Sequence, residues 1–171
     1  MPSTCLTKLG LSKLAQASGD ETAVGIKYVA LGDADDNHYI PDGTETDLRN
    51  ERYRKAIDSR QFHGENNWRV KADFDTDTPI INVREVGFFD GEGDLIVICT
   101  FNADEERKTG AVIYSINEVL NFSNIKEGLI YVDAPDDEAF ELAVSVSTAL
   151  ANLQHEQLRQ ADKIHALANQ H

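Results

Sequence analysis

The spacing of apolar residues in the first sixty positions predicts a short helix followed by a strand. Four leucines lie mostly on one helical face, and Gly19-Asp20 supplies a stop signal. These leucines are Leu6, Leu9, Leu11 and Leu14. Residues 25–32 then alternate between two faces, as in a strand. Residues 48–57 fit a short basic helix or an extended strand, and their pattern does not decide between the two.

The middle of the chain, from about residue 62 to residue 120, has the alternation expected of a β-meander. Residues 68–74 alternate strictly, which predicts a half-buried strand with Trp68 and Phe74 on its inner face. Further strands are predicted at 83–89, 95–101 and 112–116. The glycine-containing segment 90–94 predicts a hairpin loop between the first two of them.

The last part of the chain predicts a helix with a narrow apolar stripe. Residues 139–168 contain no proline and no glycine, and Pro135 with several acidic residues precedes them, as is typical of a helix start. Positions alternately four and three residues apart predict a heptad seam: Val146, Leu150, Leu153, Gln157, Gln160, Ile164 and Leu167. Two glutamines in the seam predict a weak association, which they would help to hold in register.

A stripe this narrow is better covered by identical copies than left bare, so the pattern predicts a homo-oligomer. The alternative is a helix that folds back on its own sheet. The predicted fold class is α+β: a mainly antiparallel β domain with a short N-terminal helix at 1–132, then an acidic lead-in and a coiled-coil stem at 133–171. The stripe alone does not separate a dimer from a trimer.

Charge and composition narrow the classes of partner. Of the 171 residues, 16 are basic and 30 acidic, giving a net charge of −14. Such a chain repels phosphate backbones and anionic membrane surfaces, which argues against nucleic-acid and membrane partners. The sequence contains no long apolar span, and its first ten residues lack a signal-peptide pattern. Cys5 and Cys99 stand far apart, which predicts a protein folded in a reducing cytoplasm.

Motifs that carry chemistry are weak in this sequence. The five histidines are scattered, and nucleotide-binding, zinc-protease and hydrolase signatures are absent from the sequence. The segment Asp33–Asn37 begins like a calcium loop, but His38 and Thr44 stand where an EF-hand needs glycine and glutamate. An EF-hand is therefore rejected, and a weak cation site in this loop remains as an alternative to a solvated turn.

Three acidic residues of the predicted hairpin loop could be imagined as paired carboxylates for acid–base chemistry. They are Asp90, Glu92 and Asp94, and the glycines between them are what a turn requires in any case. Trp68 and Phe74 are better explained by core packing than by a stacking platform for sugars or bases. The residues therefore predict a structural or assembly protein with no catalytic residue, no metal and no cofactor.

Three segments resemble the N-terminal domain of phage tail-collar fibre proteins, the part of a tail fibre that fixes it to the baseplate. Residues 6–15 and 28–33 are similar to the family's opening helix, with its gly-x-x-lys-leu-ala run, and to its strand ending in val-gly-asp, where Leu31 replaces the valine. Residues 48–54 look like its leu-x-asn-glu segment with trailing arginines. The most recognisable segment is the hairpin motif: Arg84, Glu85, Gly87, Phe88, Asp90 and Gly93.

The hairpin motif also carries physical expectations of its own. Gly87 lies in the middle of a strand, where a bulge or a close backbone approach is expected. Arg84 and Glu85 would point to opposite faces, so at least one of them needs a partner elsewhere in the domain or across a subunit contact.

The resemblance implies a non-enzymatic virion component, a tail fibre or fibre adaptor of a phage or a phage-derived contractile particle, made in the host cytoplasm. It implies a homotrimer bound to baseplate proteins through the N-terminal domain, with a distal fibre protein as a further candidate partner at the C-terminal helix. Fibres of this family usually continue for hundreds of residues, whereas this sequence ends at His171, which predicts a short fibre or an adaptor. Alternatives from other classes are a glycan- or cation-binding module using the Asp33–Asn37 loop and Trp68, and, with less support, a hydrolase using the acidic hairpin loop.

Overall fold

The computed structural model describes residues 3–101, 107–110 and 112–168. The chain divides into two compact units, Met1–Asp136 and Asp137–His171. In its described part, the first unit contains one α-helix, α1 (Lys8–Asp20), and nine strands. The strands are β1 (Ser3–Leu6), β2 (Val24–Gly32), β3 (Glu51–Ala56), β4 (Ser59–Phe62), β5 (Asn67–Phe74), β6 (Glu85–Asp90), β7 (Leu95–Thr100), β8 (Tyr114–Asn121) and β9 (Ile130–Val132).

Six of these strands form a large sheet in the order β1-β7-β6-β2-β3, with β9 also paired to β2. All neighbours along this order are antiparallel. One edge of β2 pairs with β6 from Ile26 to Gly32. Its other edge is shared by β3 at one end and by β9, which runs parallel to it, at the other. The large sheet therefore gathers residues from both ends of the first unit around β2.

The other three strands form a small antiparallel sheet in the order β4-β5-β8, which packs against one face of the large sheet. Alternate residues of β5 and β8 supply the buried side of this layer: Val70, Ala72, Phe74, Ile116 and Leu120. They meet Val86, Phe88 and Val97 of the large sheet. As the alternation in 68–74 predicts, Phe74 is fully buried and Trp68 packs partly buried beside this core.

The opposite face of the large sheet is covered by the chain between β2 and β3. Ala34, Tyr39 and Leu48 come from this connection and are buried. They pack in a second cluster with residues of the large sheet: Ala30, Phe89, Leu95 and Ile98. Residues of the large sheet thus face apolar partners on both sides, which explains why β6 and β7 are buried along their whole length.

Helix α1 confirms the short helix predicted from the leucine spacing, except that Leu6 lies in β1 and Leu11 is exposed. Thr7 fixes the start of the helix. The Thr7 hydroxyl accepts a hydrogen bond from the Gly10 backbone N–H (2.9 Å) and donates one to the Leu95 carbonyl (2.6 Å). A Cβ at Gly10 would lie 2.9 Å from the Ile96 carbonyl oxygen, so this glycine allows the helix to approach β7 closely. Leu14 is buried against the core on the same side.

Helix α2 (Glu138–Ala168) belongs to the second unit. Its side chains are described over 145–161 and at position 163, and all of these are exposed. Of the predicted seam, Val146, Leu150 and Leu153 are 50%, 56% and 61% exposed. Gln157 and Gln160 are exposed as well, whereas the side chains of Ile164 and Leu167 lie outside the described residues. No described helix has both the length and the apolarity that crossing a membrane requires.

The predicted fold class was wrong. The folded unit is built from two β-sheets that form its core, with α1 packed beside them, so it is a β structure and not an α+β one. The described side chains of α2 form no long coiled coil. The undecided segment 48–57 contains strand β3, whereas β1, β4 and β9 were not predicted as strands.

Candidate functional site

Glu85 is the most deeply buried charged residue described in the large sheet, with no exposed surface at all. Its Oε2 accepts hydrogen bonds from the Tyr39 hydroxyl (2.5 Å) and the Arg49 backbone N–H (3.1 Å). Its Oε1 accepts one from the Asn50 backbone N–H (2.9 Å). A buried carboxylate is tolerated only with such partners, so Glu85 ties β6 to the connection between β2 and β3.

Tyr39 contacts Glu85 through its hydroxyl and Arg49 through its ring. Burial raises the pKa of the Tyr39 hydroxyl, and its hydrogen bond to Glu85 raises that pKa further. The Arg49 guanidinium lies 3.6 Å from the centre of the Tyr39 ring, in a cation–π contact. Tyr39 therefore stays a neutral donor to Glu85 throughout the ordinary pH range.

Gly32 leaves the space that the Glu85 side chain fills. A Cβ at position 32 would collide with Glu85 Oε1 and would lie 2.8 Å from the Asn50 carbonyl oxygen. The glycine of the strand-ending motif is therefore required by close packing against the glutamate of the hairpin motif.

Asn50 extends the same network to the acidic loop. Its Nδ2 donates to Asp33 Oδ1 (2.8 Å) and to Asp35 Oδ1 (2.9 Å). This holds a 3₁₀ turn in which Ala34, Asp35 and Asp36 all have positive φ, at 49°, 53° and 59°. Backbone strain of this kind costs about 1 kcal/mol or more per residue, and the Asn50 bonds help to offset it.

The Asp33–Asn37 loop and Trp68 are not brought into one site. The loop carboxylates of Asp33 and Asp35 accept the Asn50 amide, and Arg52 lies 3.5 Å from the other Asp33 oxygen. Trp68 lies on the small sheet, where its ring packs 4.7 Å from that of Phe62. The geometry therefore does not favour the glycan- or cation-binding module.

Arg84 lies beside this network through its backbone. Its N–H donates to the Gly32 carbonyl and its carbonyl accepts from the Phe101 N–H, each at 2.9 Å. Its side-chain Nε is 3.7 Å from Asp36 Oδ1. The expectation that one of Arg84 and Glu85 finds a partner elsewhere is confirmed, and the partners of Glu85 lie within the domain.

The acidic hairpin loop surrounds a lysine of α1. Lys13 Nζ lies 2.5 Å from Asp90 Oδ2 and 2.6 Å from Glu92 Oε2, and it also pairs with Asp94. Asp90 Oδ1 accepts the backbone N–H groups of Glu92 and Asp94, each at 2.9 Å. Burial alone would raise the pKa of Asp90, but the Lys13 and backbone hydrogen bonds outweigh it and hold that pKa below its usual value.

These ion pairs fasten α1 to the β6–β7 hairpin, and we call them the lock. The arrangement fits this structural role better than it fits acid–base chemistry. The three carboxylates have oxygens within 4.8 Å of one another, a spacing that a metal ion could use, but the Lys13 ammonium lies among them. The carboxylates raise the pKa of Lys13 against the opposing effect of its burial, so the ammonium keeps its charge. The hydrolase alternative thus has no support from this cluster.

A cleft of about 370 Å³ lies beside the same cluster, between α1, the hairpin loop and Tyr131. Its charged groups face one another: Lys13 binds Asp90, and Lys27 lies 3.6 Å from Asp133. Among the described lining residues there is no serine, cysteine or histidine that could act as a nucleophile or base.

The remaining hairpin-motif residues serve packing and the turn. A Cβ at Gly87 would lie 2.7 Å from the Phe89 ring and 2.9 Å from Leu95 Cδ1, which confirms the close approach expected there. Phe88 is fully buried between the sheets. Gly93 has a φ of 94°, which the turn requires.

The three segments that resemble the family therefore contact one another in two clusters, one around Glu85 and one around Lys13. Gly32, Asn50 and Glu85 meet at one buried carboxylate, while Lys13 of the first segment binds Asp90 of the hairpin. In agreement with this, residues 1–127 match the family model of the phage tail-collar fibre protein, N-terminal. The chain belongs to the phage tail-collar fibre family. No curated protein and no solved structure matches the chain.

Membership of this family makes the protein a structural component of a phage tail that associates with other tail proteins and resides in the virion tail. Five residues that build the Glu85 and Lys13 clusters were not among the predicted site residues: Lys13, Gly32, Tyr39, Arg49 and Asn50. All except Tyr39 stood inside the resembling segments, which was an available signal. Tyr39 lies in the connection outside those segments, and nothing in its sequence neighbourhood indicated a role.

Proposed function

We propose that this protein is a non-enzymatic tail fibre or fibre adaptor subunit that attaches to the baseplate through residues 1–132 and assembles as a homotrimer through residues 133–171. The observation that carries the proposal is the match of residues 1–127 to the tail-collar fibre family, followed by a helix whose apolar stripe is exposed. The choice of a trimer over a dimer comes from the resemblance, because fibres of that family are trimers.

Solvent exposure of α2 supports the assembly half of this proposal. Val146, Leu150 and Leu153 leave half or more of their side chains in water, although burying a leucine stabilises a protein by about 1.5–3 kcal/mol. Copies of the same chain would cover these residues, together with Gln157 and Gln160 along the same stripe. The remaining members of the proposed contact are Ile164 and Leu167.

The chemistry of the motif residues supports a division of labour in the first unit. The polar groups of three motif residues bind partners inside the first unit; these residues are Lys13, Asn50 and Glu85. They therefore specify the fold, and the proposed contact with the baseplate falls to surface residues outside the motifs. A distal fibre protein at the end of α2 would complete the path from baseplate to fibre.

The mass of the full chain in solution tests the trimer. Light scattering after size exclusion should give about 57 kDa, three times the chain mass of 19.0 kDa. The double variant Leu150→Asp/Leu153→Asp should fall to one chain mass, because a charge cannot be buried at the contact without a partner. Leu158→Asp is the matched control, since Leu158 is 67% exposed and lies off the seam. A wild-type monomer, or equal effects of both variants, would contradict the trimer.

Chemical cross-linking of intact virions tests the attachment. The lysines of the first unit, such as Lys8, Lys27 and Lys71, should cross-link to baseplate proteins, while Lys163 of α2 should link to other copies or to a distal protein. Cross-links to baseplate proteins from Lys163 alone would contradict the proposed orientation.

A further inference from the structure

The chain that leads from the family domain to α2 is fastened to both sheets. Residues 129–136, here called the strap, follow the family match at 1–127 and precede α2. In the large sheet, Ile130 and Val132 of β9 are 1% and 0% exposed. Backbone bonds join Val24 N–H to the Leu129 carbonyl (2.8 Å) and Asp133 N–H to the Ile26 carbonyl (2.7 Å). The first part of the strap, β9, is thus a strand of the large sheet with two fully buried side chains.

Arg60 of β4 fastens the other end of the strap to the small sheet. Its backbone N–H donates to the Pro135 carbonyl (2.8 Å), and its Nε donates to Asp136 Oδ1 (3.0 Å). Its Nη1 donates to the Val132 carbonyl. The guanidinium also lies 5.3 Å from the centre of the Trp68 ring. One side chain therefore contacts the strap at two places and is itself packed on an aromatic residue.

We propose that the strap is a mechanical junction, in which β9 and the Arg60 contacts transmit a pull on α2 to both sheets at once. Because β9 runs parallel to β2 with several backbone bonds, and the Arg60 bonds hold the following residues, the contacts share the load and must fail together. Without the Arg60 guanidinium, the residues after β9 keep only the backbone bond from position 60 to the Pro135 carbonyl, so they would peel away first and the load would then fall on β9 alone. The inference rests on the proposed function, since a fibre subunit is pulled against its attachment point.

Single-molecule stretching of the full chain, held by terminal tags, tests this junction. We expect the wild type to lose the first unit in one step. In Arg60→Ala, an early extension of up to about 14 Å should precede that step, because the four released residues after β9, 133–136, span at most about 3.5 Å each. Asp136→Asn is the second variant; Asp136 has an exposed side chain, so this variant should stay folded and show the same early step less often.

Arg69→Ala is the matched control, because Arg69 also lies on the small sheet and makes a 2.6 Å side-chain bond, to Asn117, away from the strap. It should unfold like the wild type. Hydrogen exchange adds a reading without force: the Asp133 amide should exchange about tenfold faster in Arg60→Ala, as expected for the loss of charge-assisted bonds.

The junction is overturned if folded Arg60→Ala stretches and exchanges like the wild type, or if Arg69→Ala produces the same early step. These readings come from the isolated chain, so they do not depend on virion attachment. A normal junction in a chain that fails to cross-link to the baseplate would contradict the proposed function alone.

Discussion

At the scale of single residues, several buried hydrogen bonds of the first unit meet at one carboxylate, that of Glu85. Each hydrogen bond to a charged group contributes about 1.5–3 kcal/mol, and a partner left unsatisfied in the interior costs a similar amount. Glu85 satisfies two backbone N–H groups and one hydroxyl from a connection that has little regular structure of its own. This one side chain therefore decides how the chain between β2 and β3 lies on the sheet.

Replacing Glu85 with glutamine should destabilise the fold by about 2–3 kcal/mol, because an amide removes the charge and brings N–H groups towards other donors. The free energy of unfolding in urea measures the change. Glu127→Gln, at an exposed position, makes the same chemical change and should stay within about 0.5 kcal/mol of the wild type. Equal values for the two variants would show that the Glu85 contacts contribute nothing.

Two glycine-to-alanine changes should move stability in opposite directions. Gly32→Ala should cost about 1–3 kcal/mol, since the new methyl group meets Glu85 and the Asn50 carbonyl. Gly19→Ala in α1 should stabilise the protein by about 0.5–1 kcal/mol, because nothing lies within 4 Å of the added Cβ and alanine favours the helix. Thermal melts of both variants check the pair, and a stabilising Gly32→Ala would be incompatible with the packing described.

The sequence could predict that Glu85 needed a distant partner but not which one. Strand alternation places Arg84 and Glu85 on opposite faces, and that prediction depends on local geometry alone. The partners are two backbone N–H groups and a tyrosine 35 to 46 positions earlier in the chain. Backbone donors carry no side-chain signature, so no pattern could have named them.

At the scale of elements, Lys13 fixes α1 to the hairpin by charge. Asp90 has a lowered pKa, so its contribution to stability is present above the ordinary carboxyl pKa and is lost as pH falls through the lower, folded-state pKa. The wild-type lock should therefore persist to a more acidic pH than an ordinary carboxylate pair would.

Lys13→Met should destabilise the protein by about 1–3 kcal/mol at pH 7, because three carboxylates then face one another without the ammonium. Protonation of the carboxylates removes their mutual repulsion, so the deficit in stability shrinks as the pH falls towards 4. Urea unfolding at several pH values measures the trend. Lys71→Met, which loses only a 3.5 Å pair with Asp73 on the outer face of the small sheet, should show a small, pH-independent change. A Lys13→Met deficit that is constant from pH 7 to 4 would refute the lock.

A strand could be predicted where its own sequence shows a pattern of apolar and polar residues. A strand could not be predicted where it forms only because it pairs with a strand distant in the sequence. The alternation of inner and outer positions in 68–74 predicted β5, the apolar run at 95–99 predicted β7, and the mostly apolar segment 83–89 predicted β6. By contrast, β1, β4 and β9 have four, four and three residues, too few for a period to show. The basic segment 48–57 became β3 through long-range contacts, with Arg54 stacked 3.6 Å over the Phe89 ring and Tyr53 against Phe74.

At the scale of the whole molecule, the error in fold class has one source. The long run without proline or glycine was correctly assigned to a helix, but that helix forms a unit separate from the core. Strands of the two sheets supply 20 of the 30 buried residues in the two apolar clusters of the described first unit, connecting segments supply eight, and α1 adds only Leu14 and Ala17. The fold class is set by the core, so weighting the helix equally gave the wrong answer.

Two truncated chains, one that keeps the strap and one that lacks it, should show how much the strap contributes to the stability of the first unit. A chain ended at Asp136 should melt at the same temperature as the full protein, because α2 is a separate unit. A chain ended at Gly128, near the end of the family match, should be less stable by about 3–6 kcal/mol, since it loses the buried Ile130 and Val132. Calorimetry of the two forms checks this, and equal melting temperatures would mean that β9 is dispensable.

The packing of Gly32 against Glu85 also limits the order in which these two positions can be substituted during evolution. Because the glutamate side chain occupies the volume that a side chain at position 32 would need, position 32 can accept a larger residue only after position 85 has changed. In a lineage that replaced the glutamate with a shorter residue, selection against larger residues at the glycine position would relax in part, since the Asn50 carbonyl oxygen still lies 2.8 Å from a Cβ there. The reverse order of substitution would pass through an overpacked intermediate, so the glutamate should be the first of the pair to change.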